Sequence, residues 1–170
     1  SWAGTVPAGG YGSLAASTTK MYVDYFRYYA PTSTVFWIGA SSGDWTDPAN
    51  WLGGRVPKTG DDAPFGYLGT RNSTTTMGPI PGTPILGQNF VLASLSIMET
   101  GPFTVYGNTL TLGSGGLDMI SALYDATINC TVSLSATQSW KIAEGRVLTV
   151  NGAVSVAGGL NKSGRGTAAW

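Results

Sequence analysis

Three tryptophans, Trp37, Trp45 and Trp51, stand eight and six residues apart in the stretch VFWIGASSGDWTDPANWLGG, with Asp44, Asp47 and Asn50 beside them. An indole face stacks on the apolar C–H face of a pyranose ring, and short carboxylate and carboxamide side chains next to it hydrogen-bond sugar hydroxyls. These residue types are therefore those of a carbohydrate platform. On this reading Trp45, between Asp44 and Thr46, is the tryptophan to find exposed. The same spacing also suits pegs that hold a Gly/Asp/Pro loop over the open end of a stacked β-structure, which needs a cap to hide its core and strand edges. Both readings stand at this point.

A second group of acids, Asp61 and Asp62 in TGDDA, lies close behind. Oxygen-rich loops of this kind hold a structural Ca²⁺ when six to eight oxygens converge, but no EF-hand spacing is present. The alternative is that the aspartates form turns and helix caps. No other cofactor is called for. The chain contains no histidine, which removes every Ser-His-Asp or Cys-His arrangement and most zinc sites. Its one cysteine, Cys130, sits in the alternating run ATINCTVSLS and reads as a buried, inert thiol.

Nine acidic and nine basic residues give a net charge of zero, so no electrostatic footprint for nucleic acid exists. Charged residues are 11% of the chain, against a usual ~25%, and solubility falls to Ser, Thr, Asn and Gly. No run of ~18 apolar residues is present, so no membrane-spanning helix is expected. The abrupt ends at Ser1-Trp2 and Ala169-Trp170 read as those of a piece of a longer chain, with Trp2 and Trp170 exposed there.

Such candidate groups need elements to position them. Residues 1–30 close with KMYVDYFRYYA, whose alternation of β-branched and aromatic residues predicts a strand with aromatics on both faces, as inside a sandwich. Residues 31–36 form a short linker. Between about 37 and 82 the chain is rich in turn residues, TRNSTTTMGPIPGTP above all. From about Thr83 onward, strands of four to six residues follow one another between glycines and asparagines. VYGNTLTLGSGGLDM (105–119) is echoed about 45 residues later by VNGAVSVAGGLNKSG (150–164). Units too small to bury their own apolar face, repeated at this spacing, read as a stacked solenoid. Two coils of ~22 residues per echo suit a small parallel β-helix with Leu110, Leu112, Leu117, Val154, Val156 and Leu160 turned inward. Periodicity leaves a β-sandwich or jelly roll open as the alternative. Either way the class is all-β. Trp140 alternates with its neighbours as a core residue.

Two resemblances follow from particular motifs. Residues 37–170 resemble the autotransporter-associated β-strand repeat region of bacterial surface and secreted proteins. The pattern is carried by Trp37, Gly39, Gly43, Asp44, Trp45, Ala49, Asn50, Trp51, Gly54, Val56, Pro57, Gly60, Asp61, Asp62 and Ala63, and by the later SWKIAEGRVLTVNGAVS and GGLNKSGRGT. The chain departs from that family after the final GT, where Ala168, Ala169 and Trp170 replace Leu-x-Leu. Separately, Trp2 to Gly4 and KMYVDYFRYY (20–29) resemble the closing segment of a glycoside hydrolase family 16 sandwich. The E-x-D-x-x-E of that family is absent. Its retaining chemistry, which needs two carboxyls ~5 Å apart, is therefore not expected of this chain.

Together the resemblances imply a β-solenoid accessory domain of a secreted or surface-displayed bacterial protein, itself not an enzyme. The first function expected is a non-catalytic carbohydrate-binding module for a polysaccharide of the β-glucan or galactan class, with Trp37, Trp45, Trp51, Asp44, Asp47 and Asn50 at the site. The second is a structural spacer or surface-attachment solenoid without a ligand, able to associate with itself through open solenoid ends. A third is that the chain is a fragment of a family 16 glycoside hydrolase.

Overall fold

A computed structural model describes residues 33–66, 74–76, 88–98 and 101–170, with 74–76 described as backbone only. The chain divides into two units, Ser1–Ala30 and Pro31–Trp170, and all described residues belong to the second. The strand expected over 20–30, Trp2, and most of the 67–87 turn region lie outside the described residues.

Ten strands are described: β1 (Asp61–Phe65), β2 (Thr74–Thr76), β3 (Phe90–Ile97), β4 (Phe103–Met119), β5 (Ala126–Leu134), β6 (Gln138–Ile142), β7 (Val147–Val150), β8 (Val154–Val156), β9 (Leu160–Ser163) and β10 (Thr167–Ala169). Every pairing between them is parallel. Their register defines a three-sided parallel β-helix. The first side stacks β2, the start of β4, the start of β5, β7 and β10. The second stacks the start of β3, the middle of β4, the end of β5, and β8. The third stacks β1, the end of β3, the end of β4, β6 and β9. The sandwich alternative is thereby excluded for this region.

Ala126 lies opposite Leu148, Val132 opposite Val154 and Gln138 opposite Leu160, a stagger of 22 residues on all three sides. The echo in the sequence spans two such coils: Val105 lies over Ile128, and Ile128 over Val150. The intervening coil, residues 126–142, lacks the glycine pair and hides the true period.

Alternation of side chains along each strand turns one set inward. Phe103, Val105, Leu110, Leu112, Leu117 and Met119 of one coil, and Ala126, Ile128, Val132, Leu134, Trp140 and Ile142 of the next, are all buried. Rungs about 4.8 Å apart bring these columns into continuous contact, so each coil buries the apolar face of its neighbour. Gln138 is the buried polar exception, and it is satisfied. Its Nε2 donates to the Leu112 carbonyl at 3.1 Å, and its Oε1 accepts from the Trp140 indole at 3.0 Å.

One inward column differs from the sequence expectation. Leu117 lies over Trp140 and Trp140 over Lys162, whereas Leu160 lies over Gln138. Aligning the two copies on their glycine pairs puts Leu160 in the Leu117 column. The coils reach that column five residues after Leu112 but six after Val156, and the extra corner residue shifts the match. Val154 and Leu160 are only part-covered and Val156 is exposed, because they belong to the last described coil. Cys130 is buried at the corner between the first two sides, and burial pushes its thiol up to about 12, as expected of an unreactive group.

Candidate functional site

The tryptophan-rich segment closes the N-terminal end of the described solenoid. Residues 34–37 run beside β1, where Val35 N–H donates to the Asp62 carbonyl and Trp37 N–H to that of Pro64. Trp37 then bridges to Trp51 in antiparallel fashion, which folds the intervening loop across the end of the coil.

The relative exposures of Trp37, Trp45 and Trp51 are 0%, 0% and 1%. They converge on Phe65, the last residue of β1. Trp37 and Trp45 stack on its ring at centroid distances of 5.3 and 4.8 Å, and Trp51 meets it edge-on at 5.6 Å. Phe65 in turn meets Phe103 of the next coil at 5.2 Å, and Trp45 meets Phe90 at 5.3 Å. Edge-to-face and offset geometries of this kind add about 0.5–1.5 kcal/mol per pair to the area buried. The Trp51 indole N–H donates to the Trp45 carbonyl at 2.9 Å. The indole N–H groups of Trp37 and Trp45 meet no acceptor among the described residues. Trp45, the tryptophan expected to be exposed, is fully enclosed. An indole packed on both Phe65 and Phe90 has no face left for a sugar.

The polar residues expected around a sugar hold the loop instead. Asn50 is fully buried, and each of its side-chain atoms is used twice. Oδ1 accepts from the backbone N–H groups of Ser41 and Ser42, both at 2.8 Å, while Nδ2 donates to Ser42 Oγ and to the Asp44 carbonyl, both at 2.9 Å. Asp44 Oδ1 accepts from the N–H and hydroxyl of Thr46, both at 2.8 Å. Asp47 caps the single 3-10 turn Pro48–Asn50 through the Ala49 N–H at 2.9 Å. Turn chemistry accounts for all three residues.

Asp61 and Asp62 do not converge. Asp61 is buried and pairs with Arg55 at 2.5 Å, and its carboxylate also accepts from the Lys58 N–H at 2.9 Å. Arg55 bonds Ser33 Oγ as well, which ties the start of the cap to β1. Asp62, next along the strand, accepts from Ser94 Oγ at 2.6 Å. Among the described residues no three Asp, Glu, Cys or His side chains gather as a metal site.

Burial raises the pKa of Asp61, but hydrogen bonds from Arg55, the Lys58 backbone and Ser33, with the charge of Arg55, outweigh it. They hold the carboxyl below its usual value of 3.8. A depressed folded pKa contributes stability that is present above the unfolded value and lost as pH falls through the folded one. The urea midpoint is therefore expected to decline as pH falls below the usual carboxylate value of 3.8, with an Asp61→Asn variant starting lower and declining less. A variant that declines as steeply as the wild type would place the acid sensitivity elsewhere.

Phe65, the hub of the cluster, lies outside the tryptophan motif. The alternation in DDAPF was the available signal, with Ala63 and Phe65 on one side of the strand. The surface features that remain are on the coils. Tyr106, 43% exposed, points outward from the first side over Asn129, and Asn151 Nδ2 donates to Asn129 Oδ1 at 2.8 Å. At the far end, Gly152, Val154, Val156, Leu160, Lys162 and Trp170 line a cavity of about 470 Å³. Among the described residues no helix is long and apolar enough to cross a membrane. No family model matches the chain, and neither a curated protein nor a solved structure matches it.

Proposed function

We propose that residues 31–170 serve as a non-catalytic structural β-solenoid, a spacer or attachment segment of a bacterial surface or secreted protein. The observation that carries this reading is the enclosure of Trp37, Trp45 and Trp51 around Phe65, with Asn50, Asp44 and Asp47 spent on the loop they belong to. Each of these six side chains is used in the segment that closes the end of the coil. The likeness of the tryptophan and GGLNKSG motifs to autotransporter-associated repeats supports the same reading and is its only support for a surface location.

Glycan contact is a second reading, and a different face favours it. Tyr106, Asn129 and Asn151 form an outward column without charge, beside Thr127 and Thr149 on the same strands. An exposed aromatic ring above two carboxamides has the chemistry of a neutral polysaccharide contact.

Native electrophoresis through gels cast with β-glucans and galactans separates the readings. The spacer moves at its ligand-free rate in every gel. Retardation abolished by Tyr106→Ala would favour the second reading, and retardation abolished by a folded Trp45→Ala would overturn both.

A further inference from the structure

Charge is sorted by side along the stacked coils. Within residues 101–170, Asp118, Lys141 and Lys162 belong to the third side, and Asp125, Glu144, Arg146 and Arg165 to the corners that follow it. The segments 103–112, 126–134 and 147–156, which form the first and second sides of these coils, contain no charged residue. The outward positions of the first side are two neutral columns instead. One is Thr104, Thr127 and Thr149; the other, two residues further along each strand, is Tyr106, Asn129 and Asn151. Just past the corner, Thr109 lies over Thr131, so threonines flank the Tyr106 column on both sides.

We propose that this face binds a neutral β-1,4-linked polysaccharide laid along the solenoid axis, with about one sugar on each rung. The proposal rests on the glycan reading of the Tyr106 column and adds the class and the direction of the chain. Rungs stand about 4.8 Å apart, close to the advance of an extended β-1,4-linked chain, which is roughly one pyranose ring per residue. A chain laid along a strand would leave the column after one ring, because the first side ends at the corner that Gly107 begins. Laid along the column, it keeps its contacts from coil to coil. The Tyr106 ring, 43% exposed, stacks under one sugar, and the carboxamides of Asn129 and Asn151 meet hydroxyls of the next two. The hydrogen bond from Asn151 Nδ2 to Asn129 Oδ1, 2.8 Å, orients both amides. It leaves Asn151 Oδ1 to accept and Asn129 Nδ2 to donate, and a sugar hydroxyl answers either.

The missing charge selects the ligand. A carboxylated or sulfated chain finds no cation on this face. Lys141, Arg146 and Arg165 lie on or beside the third side, with Asp118, Asp125 and Glu144 at 3.4, 3.8 and 3.6 Å. A neutral chain needs no counter-charge, so its binding is indifferent to salt.

Calorimetric titration of the full chain with β-1,4-linked gluco-oligosaccharides of increasing length tests the proposal. The dissociation constant is expected to fall about tenfold from the disaccharide to the tetrasaccharide and to stay unchanged as salt is raised. Tyr106→Ala is expected to weaken both about tenfold, whereas Asn151→Ala, two rungs away, weakens only the tetrasaccharide. Circular dichroism verifies that both variants keep their strands, and the length dependence of the wild type reports even without them. Binding that depends on Tyr106 but is equally tight at both lengths, or that Asn151→Ala leaves unchanged at both, would overturn the axial chain while a sugar contact at Tyr106 stands. Binding that weakens steeply with salt would overturn the choice of a neutral chain. No binding at either length, or binding indifferent to Tyr106→Ala, would overturn the sugar contact itself and leave the spacer.

Discussion

Phe65→Ala is expected to destabilise residues 31–170 by about 3–5 kcal/mol, the range for deleting a fully buried aromatic ring. The high end of the range is favoured because Phe65 supports four rings at once, Trp37, Trp45, Trp51 and Phe103. Removing it leaves a cavity walled by three indoles, which are too large and too constrained by the Trp37–Trp51 bridge to collapse into the space. The cost therefore includes lost ring contacts as well as the lost burial. Urea denaturation followed by tryptophan emission measures it. Leu52→Ala is the internal comparison: Leu52 lies in the same segment but is 52% exposed, so its loss is expected to stay within about 0.5 kcal/mol. Equal effects from the two substitutions would mean that the aromatic cluster is not packed as described.

Gly116→Ala is the second large effect. Gly116 has φ +69°, a left-handed conformation that costs an L-residue about 1–2 kcal/mol. An added Cβ would also lie 2.2 Å from the Ser139 carbonyl oxygen in the coil above. That oxygen belongs to the backbone of a stacked strand, so one coil must move away from the next, at a further ~1–3 kcal/mol. Gly145 separates the two contributions. Its φ is +71°, but nothing lies within 4 Å of an added Cβ. Gly145→Ala is therefore expected to show the backbone cost alone, about 1–2 kcal/mol, and Gly116→Ala roughly twice that in the same thermal or urea titration. Equal losses would mean that the coils do not approach as closely at this corner as the stacked register requires.

The difference between these glycines shows how far sequence reaches in a solenoid. Alternation along FVLASLSI, ATINCTVSL and VLTV marks the strands, and the echo of 105–119 in 150–164 gives twice the coil length. Stacking itself is legible because no unit can bury its own apolar face. Register within a column is not, since it depends on how many residues each corner consumes. Gly116 and Gly145 have the same backbone conformation, but only one lies beneath a carbonyl. The glycine pair of 158–159 likewise suggested Leu160 as the successor of Leu117, where the coil places Lys162.

The tryptophan segment was legible as a set of residues, not as a role. Trp37, Trp45 and Trp51 have the types and spacing of both a platform and a plug. What distinguishes these is whether each indole has a free face, and that depends on Phe65 and Phe90, which lie 14 or more residues further along the chain. Asn50 carries the same ambiguity. A carboxamide that meets two sugar hydroxyls in one setting meets two backbone N–H groups and two oxygens in this one. Distant partners in space, invisible in a local motif, decided each case.

The most direct measurement of whether the tryptophans are core is collisional quenching by iodide and acrylamide. The full chain would carry Trp2→Phe and Trp170→Phe, so that emission comes from Trp37, Trp45, Trp51 and Trp140 alone. The enclosed cluster predicts blue-shifted emission and quenching far weaker than that of free indole, rising to the free-indole level only when urea unfolds the domain. Quenching of a folded protein at the free-indole level for one of the four, relieved by a glycan, would contradict the account and return a tryptophan to the surface as a binding platform.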